Sequence, residues 1–280
     1  MFWFVNKDSL MGVINRSLPA REAGLMAGIL LGDKTGFEKS FYQNLINSGL
    51  IHLVVVSGSN VMLLIGGLIE QTAMYLGRKR AIGMGLMMGW WYVQLVGWEV
   101  PVLRAMLLLS IMYFAQLLGR KYNLWRGLLL AVLIMVVGDV RILTSVSFWL
   151  SIMAFLAIVT IKLNELLKTI WVSVWIFPIM AFVFGKVSII SPITNVLVIG
   201  IMEIITIIGA VGTGVGMVIP VLGKIVLWLT LPMLQYLAMV VEWGGKVTGW
   251  EIRFNWMMVT GYYCLLFYWL LKYKNKINLN

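Results

Sequence analysis

The chain has 280 residues, of which 61% are hydrophobic and 12% charged. A soluble globule of this size cannot hide that much apolar surface, and a disordered chain needs low hydrophobicity. Twenty-two Lys and Arg against 11 Asp and Glu give a formal net charge of +11, while one Cys and one His leave neither a disulfide framework nor an ordinary zinc site. The composition fits an all-α polytopic membrane protein with a basic surplus to explain.

Residues 1–49 differ from the rest. Phe2-Trp3-Phe4-Val5 is apolar but too short for a signal-peptide core. Residues 18–31 mix Arg21 and Glu22 with an apolar stripe, and Pro19 suits a first helical turn. Gly32-Asp33-Lys34-Thr35-Gly36 reads as a turn. Thr35 and Glu38 have capping-box spacing for a second helix over 36–47, with Phe37, Phe41 and Leu45 on one face. Two interfacial amphipathic helices at the membrane surface are expected here. A helical hairpin packed on the bundle fits the same pattern.

Residues 50–280 form the polytopic helical part. A crossing helix needs about 20 mostly apolar residues. Nine segments qualify, at 50–75, 81–97, 101–119, 127–143, 145–161, 169–185, 193–218, 221–241 and 256–271. Their close spacing lets some break or re-enter, so about 7–9 transmembrane or re-entrant helices are expected. With nine spans and the C-terminus inside, the inner loops hold Arg78, Lys79, Arg80, Arg120, Lys121, Arg126, Lys162, Lys168, Lys224, Lys272, Lys274 and Lys276. The outer loops hold only Arg141, Lys186, Lys246 and Arg253. This 12-to-4 bias follows the positive-inside rule and explains much of the net charge without a ligand.

The run from Asn47 to Asn60 places the only His and several small polar residues in the first turns of a long apolar segment. Polar groups at lipid depth face protein or water. His52 and Ser59, seven apart, stack on one face; Ser57-Gly58-Ser59-Asn60 marks a helix break or a close helix contact. A serine-protease reading fails, because Ser57 lies about 140° round the helix from His52. The Gly209–Gly216 run lacks the strand and the Lys-Ser/Thr of a phosphate loop, and with Gly85 and Gly89 it reads as close helix packing. Charges in apolar surroundings are Glu99, Arg104, Asp139, Arg141 and Glu203; ion pairs such as Glu99 with Arg104, or Glu203 with a neighbour, would offset their cost. No catalytic constellation, metal site or cofactor site emerges, so no enzyme activity is expected.

Five motifs now carry a resemblance. Leu31-Gly32-Asp33-Lys34-Thr35-Gly36 resembles the LLGD-x-[ST]-G turn of the ComEC-type competence domain. Gly49 to Gly58 is similar to its GLxHLLAxSG signature, and Val102-Leu103-Arg104-Ala105 to xLRA. Asp139 followed by Ser147-Phe148-Trp149-Leu150-Ser151 resembles D…SxxFxLSF, and Ser191-Pro192-Ile193-Thr194-Asn195 resembles SPxxN. The motifs keep the family's order across residues 20 to about 205.

The resemblance implies a channel that carries single-stranded DNA across the cytoplasmic membrane in natural transformation. It also implies separate DNA-receptor, nuclease and helicase or motor partners, and it leaves room for a homo-oligomer. Ser59-Asn60 stands where the family has Leu-His. The OB-type and metallo-β-lactamase-like domains of larger members have no counterpart, so a stand-alone competence domain is expected. His52, Ser57, Ser59, Asn60, Arg104 and Asn195 are the candidate lining of a polar path. Asp33, Glu99, Asp139, Arg141 and Glu203 are structural or pore charges. Trp90, Trp91, Tyr92 and Trp98 cluster near one outer end, as stacking platforms or as an aromatic belt. A small-solute or ion transporter, or a membrane scaffold subunit, is the alternative.

Overall fold

The computed structural model describes residues 6–160, 165–185, 188, 190–247 and 254–277. Phe2-Trp3-Phe4-Val5, Lys162, Lys186 and Arg253, used in the sequence reading, lie outside the described residues. Among those described, fifteen α-helices form an all-α architecture. They are α1 (Lys7–Ser17), α2 (Ala20–Leu31), α3 (Lys39–Asn47), α4 (Ile51–Val54), α5 (Gly58–Val61), α6 (Gly67–Leu76), α7 (Arg78–Val96) and α8 (Val100–Leu117). Then follow α9 (Leu124–Gly138), α10 (Val146–Thr160), α11 (Glu165–Phe184), α12 (Ser191–Val218), α13 (Pro220–Trp228), α14 (Leu231–Gly245) and α15 (Trp256–Ile277).

The first two helices form a hairpin. Asn6 caps α1 by accepting the Ser9 N–H at 2.9 Å. α2 stops at Gly32, which takes φ 66° and returns its N–H to the Gly28 carbonyl. The expected interfacial placement of residues 18–31 does not hold. Every α2 residue from Glu22 to Leu31 is buried. Leu25, Met26, Ile29 and Leu30 pack with Val198, Met202 and Ile205 of α12 and with Leu234, Leu237 and Val241 of α14. α2 lies inside because nearly its whole circumference is apolar, and a helix of that kind belongs inside. The Thr35–Glu38 capping box also fails to form: Thr35 donates to Asp33 Oδ2 at 2.6 Å instead, and Glu38 makes no capping bond. The apolar face of α3 behaves as its spacing predicts, since Phe41 and Leu45 are buried and Phe37 packs beside them.

Two larger apolar cores result. One joins α1, α2 and α3 to α12, α13 and α14; the other joins α5, α6, α7 and α8. Glycines set the close approaches the sequence suggests. Gly85 lies against Ile69, Gly89 against Met106, and Gly216 of α12 against Gly223 of α13. Three helical stretches are long and apolar enough to cross a membrane: Ile51–Leu76, Val100–Leu117 and Ser191–Val218. The pair α13 and α14, bent by 46°, makes a fourth if it acts as one span. Leu124–Gly138, Val146–Thr160 and Ile170–Val183 are apolar but shorter. A 15-residue helix is only about 22 Å long against about 30 Å of hydrocarbon. The architecture is thus that of an all-α membrane protein with three or four full-length candidate spans among the described residues.

Candidate functional site

The longest polar interruption falls inside Ile51–Leu76. Three successive β-branched residues, Val54-Val55-Val56, precede Ser57-Gly58-Ser59, a poor continuation for a helix. α4 accordingly stops after one turn, and Val55 and Ser57 are extended. α5 restarts at Gly58, runs into a π-helical turn over Met62–Gly66, and continues as α6. Single π turns inside α-helices recur at functional sites.

A break at lipid depth must find partners for its backbone. Here they come from α2. The Val56 N–H donates to the Gly28 carbonyl at 3.0 Å. Asn60 Nδ2 donates to the Ile29 carbonyl at 3.1 Å, and the Tyr92 hydroxyl to the Leu30 carbonyl at 2.6 Å. Those three carbonyls belong to the last turn of α2: Gly28 accepts from Gly32 and from Val56, while the Ile29 and Leu30 carbonyls are acceptors the helix leaves over. The break and the end of α2 therefore satisfy one another. On the opposite side Gly58 abuts α8, where a Cβ would stand 3.1 Å from the Pro101 carbonyl and 3.2 Å from Ala105 Cβ. Val54 belongs to the first core, Val56 and Val61 to the second, so the break lies on the seam between them.

The start of α12 packs on the residues that lead into α4. Gly49, at φ 76°, presses on Ser191, and only a residue without Cβ fits there. Thr194 donates to the Ser48 carbonyl at 2.8 Å. Asn195 lies one turn further, with Nδ2 donating to Ser191 Oγ at 3.3 Å.

The expected site residues divide accordingly. His52 and Ser59 are exposed, and Ser57 and Ser59 share a hydrogen bond of 2.8 Å between their hydroxyls. Asn60 is buried and turned away as the clamp on α2. Arg104 shares a helical face with Pro101 and Ala105, the residues that meet Gly58. Its Nη1 is buried with no hydrogen-bond partner among the described residues, as is Asn195 Oδ1. An unpaired donor and an unpaired acceptor thus stand on the two helices beside the break. The expected ion pair of Glu99 with Arg104 is not formed, since Glu99 is exposed at the N-cap of α8 and unpaired among the described residues. Glu203 likewise has no ion pair there and sits on the outward face of α12 with Ile199, Ile204 and Ile207. Asp139 and Arg141 lie elsewhere. Asp139 Oδ1 accepts the Arg141 N–H at 2.9 Å and starts a short 3-10 turn, a structural role. Asp33 holds the turn after α2 through Thr35 and, at 3.9 Å, Lys7. Trp90 and Trp98 make a ring contact at 6.4 Å, whereas Tyr92 serves the break.

Sequence reasoning missed Tyr92 as a partner of α2, and Ser48, Gly49, Ser191 and Thr194 as a joint. Gly49, Ser191 and Thr194 lie within motifs that it did single out, and Ser48 stands next to one. For Tyr92 no local signal exists, because its acceptor lies 62 residues away in the chain.

A family model described as "Competence protein" matches residues 29–276. "Uncharacterized protein YcaI" of Escherichia coli (strain K12) is 24% identical over 209 residues, covering 65% of this chain and 28% of that relative. The chain therefore spans well under half the length of the curated relative it matches. No solved structure matches. The family match begins at the α2 turn that caps the break and takes in the break, the Arg104 segment and the start of α12: the chain belongs to the competence protein family.

Proposed function

We propose that the chain forms a channel for single-stranded DNA in the cytoplasmic membrane, acting in uptake during natural transformation. Membership of the competence family supports a role in DNA uptake. The observation that carries the channel reading is the broken helix on the seam of two cores. Breaks of this kind are tolerated at membrane depth where the backbone lies within protein or lines a water-filled cavity. His52, Ser57 and Ser59 line the path on the break, Arg104 supplies a cation for phosphates, and Asn195 supplies an acceptor. Asn60 holds the break in place and is not a lining residue. The chain crosses the membrane several times, with the loops rich in Lys and Arg facing the cytoplasm. It performs no covalent chemistry. A DNA receptor, a nuclease and a helicase or motor act with it.

The test is uptake of labelled DNA by a transformable host carrying Arg104→Ala, with protein level measured alongside. Loss of one charge-assisted contact lowers entry at least about tenfold, with DNA binding outside the cell unchanged. Normal entry at normal protein level refutes the path. A small-solute or ion transporter is the second reading, and the lone carboxylate Glu203 within apolar α12 favours it. In that case Glu203→Gln abolishes solute flux and leaves DNA entry intact.

A further inference from the structure

At the end of α8 remote from the break, two loops meet. Arg78 opens α7 and forks onto Glu70 at 2.6 and 2.9 Å. Its Nη2 also donates to Gln116 Oε1 of α8 at 3.0 Å, which fixes the first turn of α7 beside the last turn of α8. Lys79, Arg80, Arg120, Lys121 and Arg126 thereby come to one end of the bundle, and no carboxylate pairs with them among the described residues. Lys79 and Arg80 stand in the first turn of α7 and Arg126 in the first turn of α9. There they oppose the helix dipole, so an anion at this end would relieve both the mutual repulsion and the dipole mismatch. At this end α8 and the segment after it form an open cleft of about 390 Å³ lined by Met112, Gln116, Gly119, Arg120, Lys121 and Tyr122. Its rim is cationic, and Met112, two turns up α8, gives it an apolar wall. Leu118, Leu124, Trp125 and Tyr75, all exposed, ring the same end, as residues at headgroup level do.

We propose that this cleft binds an anionic phospholipid, with the phosphodiester on Arg120 and Lys121 and an acyl chain along Met112. Charge complementarity selects the headgroup, and the apolar wall selects a lipid over a nucleic acid. The proposal stands apart from the channel reading.

The test is native mass spectrometry of the detergent-solubilised full chain, titrated with dioleoylphosphatidylglycerol or dioleoylphosphatidylcholine. The anionic lipid binds at least about tenfold more tightly, and Arg120→Gln with Lys121→Gln brings the ratio to within about twofold. Met112→Trp, which fills the cleft without touching charge, weakens the anionic lipid too. Lys34→Gln with Lys39→Gln, exposed cations at a distant turn, leaves the ratio unchanged. Equal affinity for the two lipids, or a preference that survives both cleft variants, overturns the proposal. So does release of the bound lipid by a 20-nucleotide oligothymidylate, which would assign the patch to a nucleic-acid strand.

Discussion

Ile51–Leu76 and Ser191–Val218 are both long and apolar, at 26 and 28 residues, yet only the first is broken. Glycine content does not decide this, because α12 holds five glycines and stays helical throughout. The difference lies in where the polar groups turn. In α12, mid-helix Thr206 donates back to the Met202 carbonyl at 2.7 Å. In the broken segment the Val56 N–H and the Asn60 amide leave their own helix for the Gly28 and Ile29 carbonyls. A helix persists when its hydroxyls bond to their own backbone and breaks when a neighbour offers better acceptors. The acceptors exist because α2 ends, buried, at Gly32.

Five substitutions sharpen or break this contrast. The largest effect falls on Gly223→Leu, because Gly223 meets Gly216 and Gly212 of α12 backbone to backbone. It forces α12 from α13 and costs about 3 kcal/mol or more in a reversible unfolding titration in mixed micelles. Asn60→Leu orphans the buried Ile29 carbonyl and costs about 1.5 kcal/mol, near the top of the range for hydrogen bonds in membranes. A wild-type value there removes the amide from the account of the break. Thr206→Val, at a self-contained site in α12, costs under about 0.5 kcal/mol by the same titration. Gly214→Ala has open space around it and helical φ, so it stabilises α12 by about 0.5 kcal/mol. A matching gain from Gly58→Ala would refute the close contact of α5 with α8, since the contact at Gly58 is already tight.

The same contrast shows what could be read along the chain. Ser57-Gly58-Ser59-Asn60 marks a break or a close contact by composition alone, and both occur there. Gly85, Gly89 and Gly216 mark close packing because a residue without Cβ among apolar neighbours has few other uses. Sequence pattern did not separate Asn60 from Asn195. Both are buried asparagines near a polar motif, yet one caps α2 and the other keeps an unpaired oxygen beside the seam. It also paired Glu99 with Arg104 on proximity in the chain. The start of α8 instead turns Glu99 outward to the N-cap and buries one edge of the guanidinium. Spacing fixes which residues share a helical face, but not which helix that face meets.

The sequence by itself determined that this is an α-helical membrane protein with a basic surplus, because apolar run length and charge are local sums. It also marked Ser57-Gly58-Ser59-Asn60 as a break or a close contact, because small polar residues weaken helix locally. Only the tertiary structure decided that α2 lies inside rather than at the interface. It alone decided that α2 supplies the acceptors for the break, and that Arg104 and Asn195 flank it. Those outcomes depend on partners distant in the chain, from the Asn60–Ile29 and Tyr92–Leu30 bonds at 31 and 62 residues to the packing of α2 on α12. Burial and hydrogen-bond satisfaction are settled between elements, and one helix's sequence does not contain its neighbour's free carbonyls.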